Sequence, residues 1–164
     1  MITLAQYLMG RDLKYACSDE VRSNARLTVA KTNQLKALAV ADGIEFPDDS
    51  TEVASGWRPE GVNECTSNAA KLSTHIIAKA LDTRDPKRLF ARWCLRNLDK
   101  LAEIGLWMED PRWTPDWVHL QTVPPGSGKR VYIPSTKPAS ASALPEQGGS
   151  RGIVTDSGRQ LIHS

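Results

Sequence analysis

The chain has 164 residues, 40% of them hydrophobic, which suits one domain built around one core. Its formal net charge of +2 is too small to point to nucleic acid, and no basic cluster alternates with aromatics as a base-stacking surface requires. The 3 cysteines, Cys17, Cys65 and Cys94, form no C-x-x-C pair, which argues against a disulfide framework or a thiolate metal site and fits a reducing cytoplasm.

No run approaches the ~20 apolar residues of a membrane span. The opening "MITLAQYLMGRDLKY" has no positive segment ahead of an apolar core. Neither membrane insertion nor a Sec signal is expected from it.

The first clear element is a helix over 18–42. Ser18 is placed to cap it, Asp19 and Glu20 suit the helix dipole, and Gly43 ends it. Val21, Ala25, Val29, Asn33, Leu35 and Leu38 give its stripe. A polar loop broken by Pro47 leads to a short strand, "EVASGW". Residues 60–72 read as a loop and a short helix. "HIIAKALD", 75–82, fits a strand or a buried helix, with its end favouring strand.

"DPKRLFARWCLRNLDKLAEIG" predicts a helix with Asp85 as cap, Pro86 at the first helical position and Gly105 as the stop. Phe90, Trp93, Cys94, Leu98 and Leu101 form its buried stripe. "DWVHLQTV" alternates like a strand, with Trp117, His119 and Gln121 on one face and Val118 and Leu120 on the other. "PPGSGK" and "RVYIP" then suggest a hairpin over 116–134. From Ser135 the composition shifts to Ser, Ala, Pro, Gly and Gln. The expected organisation is a domain over 1–134 and a tail over 135–164, either a flexible tail or a docking arm that orders on a partner.

For a metal site the chain offers His75, Asp82, His119 and His163. His163 lies in the polar tail and is set aside. The other three are flanked by apolar residues. A lone histidine on an apolar segment is more often a hydrogen-bonded core residue than a ligand. The seven-residue step from His75 to Asp82 returns to one face on a helix but not on a strand. Spacing alone therefore leaves the metal question open.

The order of three motifs narrows it: "SGWRPEGVN" at 55–63, "STHIIAKALD" at 73–82 and "DWVHLQ" at 116–121. This order resembles the zinc DD-carboxypeptidase and L-alanyl-D-glutamate endopeptidase family, of Hedgehog/DD-peptidase fold. The opening "ITLAQYLMGRD" and the ending "VHLQTVPPGSGKRVYIPS" are similar to its phage branch. The resemblance covers roughly residues 50–134. It implies an α+β domain, two main helices packed on a small antiparallel sheet, with Zn²⁺ in a cleft at the sheet's edge.

The resemblance implies His75, Asp82 and His119 as zinc ligands. Arg58 matches the arginine that binds and polarises the substrate carbonyl, and Ser73 the serine that helps to position substrate. Asp116 stands where the family carries a glutamate as general base, and Glu109 is the alternative base. Ala78 stands where the family carries glycine, a position that would be strained at positive φ.

The implied activity is cleavage of amide bonds in peptidoglycan stem peptides, in phage lysis or cell entry. Such a protein is made in the host cytoplasm and acts on the wall in the periplasm, alone or carried by the virion. The other expectation is a virion or assembly protein that keeps the fold and binds phage structural proteins through residues 135–164.

Overall fold

The computed structural model describes residues 1–46, 52–67 and 69–134. The tail expected from Ser135 lies outside them. The described chain is α+β. It runs α1 (Leu4–Leu8), a 3-10 turn (Arg11–Leu13), α2 (Asp19–Ala41), β1 (Val53–Ser55), α3 (Glu60–Glu64), β2 (Ala80–Arg84), α4 (Leu89–Arg96), α5 (Leu98–Ile104), β3 (Trp107–Glu109), β4 (Trp117–Gln121) and β5 (Val131–Tyr132). No helix among the described residues is long and apolar enough to cross a membrane.

The long helix forms where its caps predict. The Ser18 hydroxyl accepts from Val21 N at 3.2 Å, satisfying a backbone donor that the helix cannot. Gly43, at φ 84°, follows its end. The buried face runs through Ala25, Thr28, Val29, Thr32, Leu35, Lys36 and Ala39. Leu38, expected on this stripe, is exposed. Lys36 is buried because it pairs with the buried Glu52 and lies over the Phe46 ring, 4.4 Å from its centroid.

The helix predicted over 85–105 is two helices. Asn97, at φ −128° and ψ 46°, breaks it between α4 and α5. Its side-chain amide donates to the Trp93 carbonyl at 2.8 Å, a local bond that competes with helix continuation. The start also shifts, to Leu89. Asp85 still caps it from a distance: its carboxylate accepts from Phe90 N at 3.2 Å and Ala91 N at 2.7 Å. Leu98, expected in the buried stripe, is exposed, like Leu38.

The sheet order is β1-β2-β4-β3-β5. The first three pairings are antiparallel, but β5 pairs with β3 in parallel. Residues 116–134 therefore do not form the expected hairpin. The chain leaves β4 and returns beyond β3, where Met108 aligns with Val131 and Glu109 with Tyr132.

Strand alternation then separates two faces. Met108, Val118 and Leu120 pack with Leu35, Phe90, Trp93, Leu101 and Ile104 in the main core. Each Leu or Phe fully buried in that layer contributes roughly 1.5–3 kcal/mol relative to exposure. A second cluster, with Tyr7, Leu8, Ala25, Val29, Trp57, Ala78 and Leu81, joins α1 and α2 to the sheet. The opposite face carries Asp82, Glu109, His119, Gln121 and Tyr132, all of which line one open cleft.

Candidate metal centre

Asp82 and His119 meet because β2 and β4 are in register there: Asp82 is the direct partner of His119. Directly opposed residues of an antiparallel pair have Cβ atoms about 4.5–5.5 Å apart and on the same face. The Asp82 Oδ1 lies 2.7 Å from His119 Nδ1.

His75 arrives from a different kind of structure. It sits in a run of turns, 74–78, and in neither a strand nor a helix, while the end of the segment forms the expected strand as β2 from Ala80. That loop is pinned on two sides. From α2, the Asn24 amide donates to the Ile77 carbonyl at 3.0 Å and the Thr28 hydroxyl to the Ala78 carbonyl at 2.8 Å. From the segment after β1, Arg58 N donates to the His75 carbonyl at 3.1 Å and the Trp57 indole to the Ile76 carbonyl at 2.9 Å. Ala78 is buried at φ 57°. The alanine thus stands in the left-handed region, where an L residue carries roughly 1–2 kcal/mol of strain.

Gly56 completes the placement. A Cβ there would stand 1.8 Å from the Tyr7 carbonyl oxygen, so only glycine lets the chain pass α1 this closely. The Gly56 carbonyl then reaches His75 Nδ1 at 2.7 Å.

These contacts fix the ring protons. A carbonyl only accepts, so His75 carries its proton on Nδ1 and presents a lone pair at Nε2. That Nε2 lies 3.3 Å from Asp82 Oδ2 and 3.4 Å from His119 Nδ1. On the far side of His119, Nε2 faces Gln121 Oε1 at 3.4 Å. The Gln121 amide cannot turn over freely. Its Nε2 donates to the Val123 carbonyl at 2.8 Å, and its oxygen accepts from the Tyr132 hydroxyl at 2.7 Å. His119 is therefore held with Nε2 as donor and Nδ1 toward Asp82. Groups that orient a ligand from behind in this way are typical of metal-binding histidines.

The result is a buried group of two histidines and one carboxylate that can hold a metal ion, their ligand atoms within 4.8 Å of one another. Burial holds the His75 pKa below its ordinary value, despite Asp82. Burial also acts to lower His119, but the Asp82 carboxylate outweighs it and the net shift is upward. Asp82 moves the other way: burial would raise it, yet the two imidazoles and their hydrogen bonds bring it down.

Arg58 and Ser73 stand beside this group. Arg58 Nη2 donates to Ser73 Oγ at 3.1 Å, and Ser73 Oγ also accepts from His75 N at 3.3 Å. Asp116 does not join them. It is exposed and lies outside the cleft, while its backbone carbonyl accepts from Asp85 N at 2.8 Å. Three residues before His119, in a period of two, is the wrong parity for the cleft face.

Glu109 has the right parity. With Trp107 opposite Gln121 and Met108 opposite Leu120, the register continues to set Glu109 beside His119, while Tyr132 flanks it from β5. It is half-buried and lines the cleft. Burial raises its carboxyl, Asp82 and Asp110 add to this, and His119 opposes it. Gln121 and Tyr132 are additions that residue type alone did not mark, although strand alternation already put Gln121 on the His119 face.

No family model, curated protein or solved structure matches the chain.

Proposed function

We propose that this chain is a zinc-dependent peptidase that hydrolyses amide bonds in peptidoglycan stem peptides, a phage-type protein made in the host cytoplasm to act on the wall. One observation carries the reading. His75 Nε2, an Asp82 oxygen and His119 Nδ1 converge as three acceptors on one buried point at the floor of a cleft. Two neutral imidazoles and one carboxylate suit zinc, and three protein ligands are the number a catalytic zinc site uses. The ordered motifs around these residues resemble the peptidase family and support the substrate class.

A zinc ion held there would polarise a carbonyl and lower the pKa of a bound water toward ~7. The chain's own residues supply the rest. The Arg58 guanidinium binds the substrate carbonyl oxygen and stabilises the negative charge that develops on it. Ser73 fixes the Arg58 fork through its hydroxyl. Glu109, on the strand beside His119, accepts the proton of the attacking water at its carboxylate and returns it to the leaving amine. We assign this role to Glu109 rather than Asp116, because Glu109 faces the cleft and Asp116 does not.

The test is release of new amino groups from purified peptidoglycan, with zinc supplied and with chelator. Cleavage that stops with chelator and returns with zinc is expected. Absence of any chelator-sensitive cleavage would overturn the reading.

A further inference from the structure

The chain has 5 tryptophans, and three of them have clear partners. Trp57 donates its indole N–H to the Ile76 carbonyl and Trp93 to the Asp42 carboxylate, while Trp107 lies under Arg130, 4.3 Å from guanidinium carbon to ring centroid. Trp117 is engaged in none of these ways. Among the described residues its indole makes no hydrogen bond, and its ring has no aromatic or cationic partner. It is half-buried and lines the cleft.

The strand register gives it one neighbour. Arg84 is the direct partner of Trp117 across β2 and β4, one row on from Asp82 and His119 and on the same face. Opposed residues of this kind have Cβ atoms about 4.5–5.5 Å apart, and one row along a strand is about 6.6 Å. Arg84 is exposed and lines the same cleft. Its backbone N–H donates to the Glu52 carbonyl at 2.8 Å, but among the described residues its guanidinium makes no hydrogen bond or ion pair. An indole and a guanidinium thus stand side by side, both uncommitted, one row from the metal centre.

The pair selects a ligand by shape and polarity. An indole offers a flat apolar face of negative potential. A guanidinium offers planar N–H donors and no acceptor. A carboxylate would use the guanidinium and leave the indole bare; an apolar side chain would do the reverse. A pyranose uses both. The C–H bonds on one face of the sugar lie against the indole, and the hydroxyl and N-acetyl oxygens at its edge accept from the guanidinium.

We infer that Trp117 and Arg84 form a subsite for an N-acetylated pyranose, which seats the sugar of a glycan-linked peptide while the peptide lies at the metal centre. That a peptide is attached rests on the proposed peptidase function; that the subsite takes a sugar rests on the indole and the guanidinium. In such a ligand a lactyl group joins the sugar to the first amino acid. A span of one row therefore directs cleavage to the amide bonds closest to the glycan.

The experiment is calorimetric binding to the full chain with chelator present, so that no turnover intervenes. Three probes are compared: N-acetylmuramyl-L-alanyl-D-isoglutamine, the same dipeptide without its sugar, and triacetylchitotriose, which has sugars and no peptide. The muramyl peptide should bind at least about fivefold more tightly than the free dipeptide, the scale of one aromatic stacking contact. It should also bind more tightly than the chitotriose.

W117L keeps apolar bulk but not the flat face, and should abolish the preference for the muramyl peptide with an unchanged circular dichroism spectrum. R84A, at an exposed position, should lower it about threefold. A muramyl peptide that binds no better than the free dipeptide, or no better than chitotriose, would overturn the inference. So would a full preference retained in folded W117L or in R84A, and R84A decides alone if W117L does not fold. If the peptidase reading fails instead, chelator-sensitive cleavage is absent while the preference for the muramyl peptide stands.

Discussion

His75 Nε2 and His119 Nδ1 face each other across 3.4 Å, with the Asp82 carboxylate touching both rings. The His75 lone pair is fixed by the Gly56 carbonyl behind it. Such convergence of acceptors is satisfied by one proton or one cation. The purified protein is expected to bind about one zinc per chain, measured by elemental analysis, and H75A or H119A should each lose it. Zinc at 100 times its dissociation constant should stabilise the fold by about 2.7 kcal/mol, since it binds only the assembled site. Equal zinc content in both variants and the parent would remove the site.

Metal binding should depend on pH through His119. Asp82 raises its pKa against the effect of burial, so the metal-free protein keeps a proton on this ring above the ordinary histidine range. Below that raised pKa, zinc must displace the proton, and its affinity should fall about tenfold per pH unit.

The folding sign follows for the metal-free chain. A raised folded pKa gives stability that is present below the unfolded value of about 6.5 and lost as pH rises through the folded one. His75, whose pKa is lowered, is already neutral there. Chelated protein should therefore melt lower at pH 9 than at pH 7, and calorimetry should show protons released on zinc binding near pH 7. A melting temperature that rises over this interval would contradict the assignment.

Glu109 and Asp116 make opposite predictions. E109Q removes a carboxylate on the cleft face, and should lower turnover by about 10²–10⁴ while zinc content stays the same. D116N alters an exposed side chain outside the cleft and should leave turnover within about twofold, because surface changes of this kind usually cost under ~0.5 kcal/mol. Steady-state rates with metal analysis of each variant decide between them. Turnover lost in D116N and kept in E109Q would return the role to Asp116.

These residues differ in how far the sequence discloses them. His75, Asp82 and His119 are legible from three motifs in order, and not from spacing, because His75 lies in turns and Asp82 in a strand, where no single period applies. The role of Gly56 shows only when Tyr7 comes alongside, a contact between residues 49 positions apart. The hairpin expectation at 116–134 fails for a similar reason. The turn after β4 is local, but β5 is taken up by β3, a pairing that turn chemistry does not specify. The helix break at Asn97 is hidden because the apolar positions continue through it. Glu109 gains its meaning from the β3–β4 register, which a list of acidic residues cannot convey.

The ion pair of Lys36 and Glu52 is buried, with the two residues 4% and 0% exposed. It ties α2 to the residue ahead of β1, the strand that leads into Gly56. E52Q leaves the lysine charge buried without its carboxylate, which typically costs about 3–5 kcal/mol. The double variant K36M/E52L replaces both charges with apolar groups of similar size and should recover most of that loss, since buried pairs are often matched by hydrophobic packing. The Glu52 backbone carbonyl, which accepts from Arg84 N at 2.8 Å, is kept in both variants. Any difference between them in urea unfolding therefore reports the charges and not the strand. If E52Q costs less than about 1 kcal/mol, the exposed-pair range, the lysine reaches water or another partner when Glu52 is gone. In that case the connection between α2 and β1 depends on the surrounding apolar contacts alone.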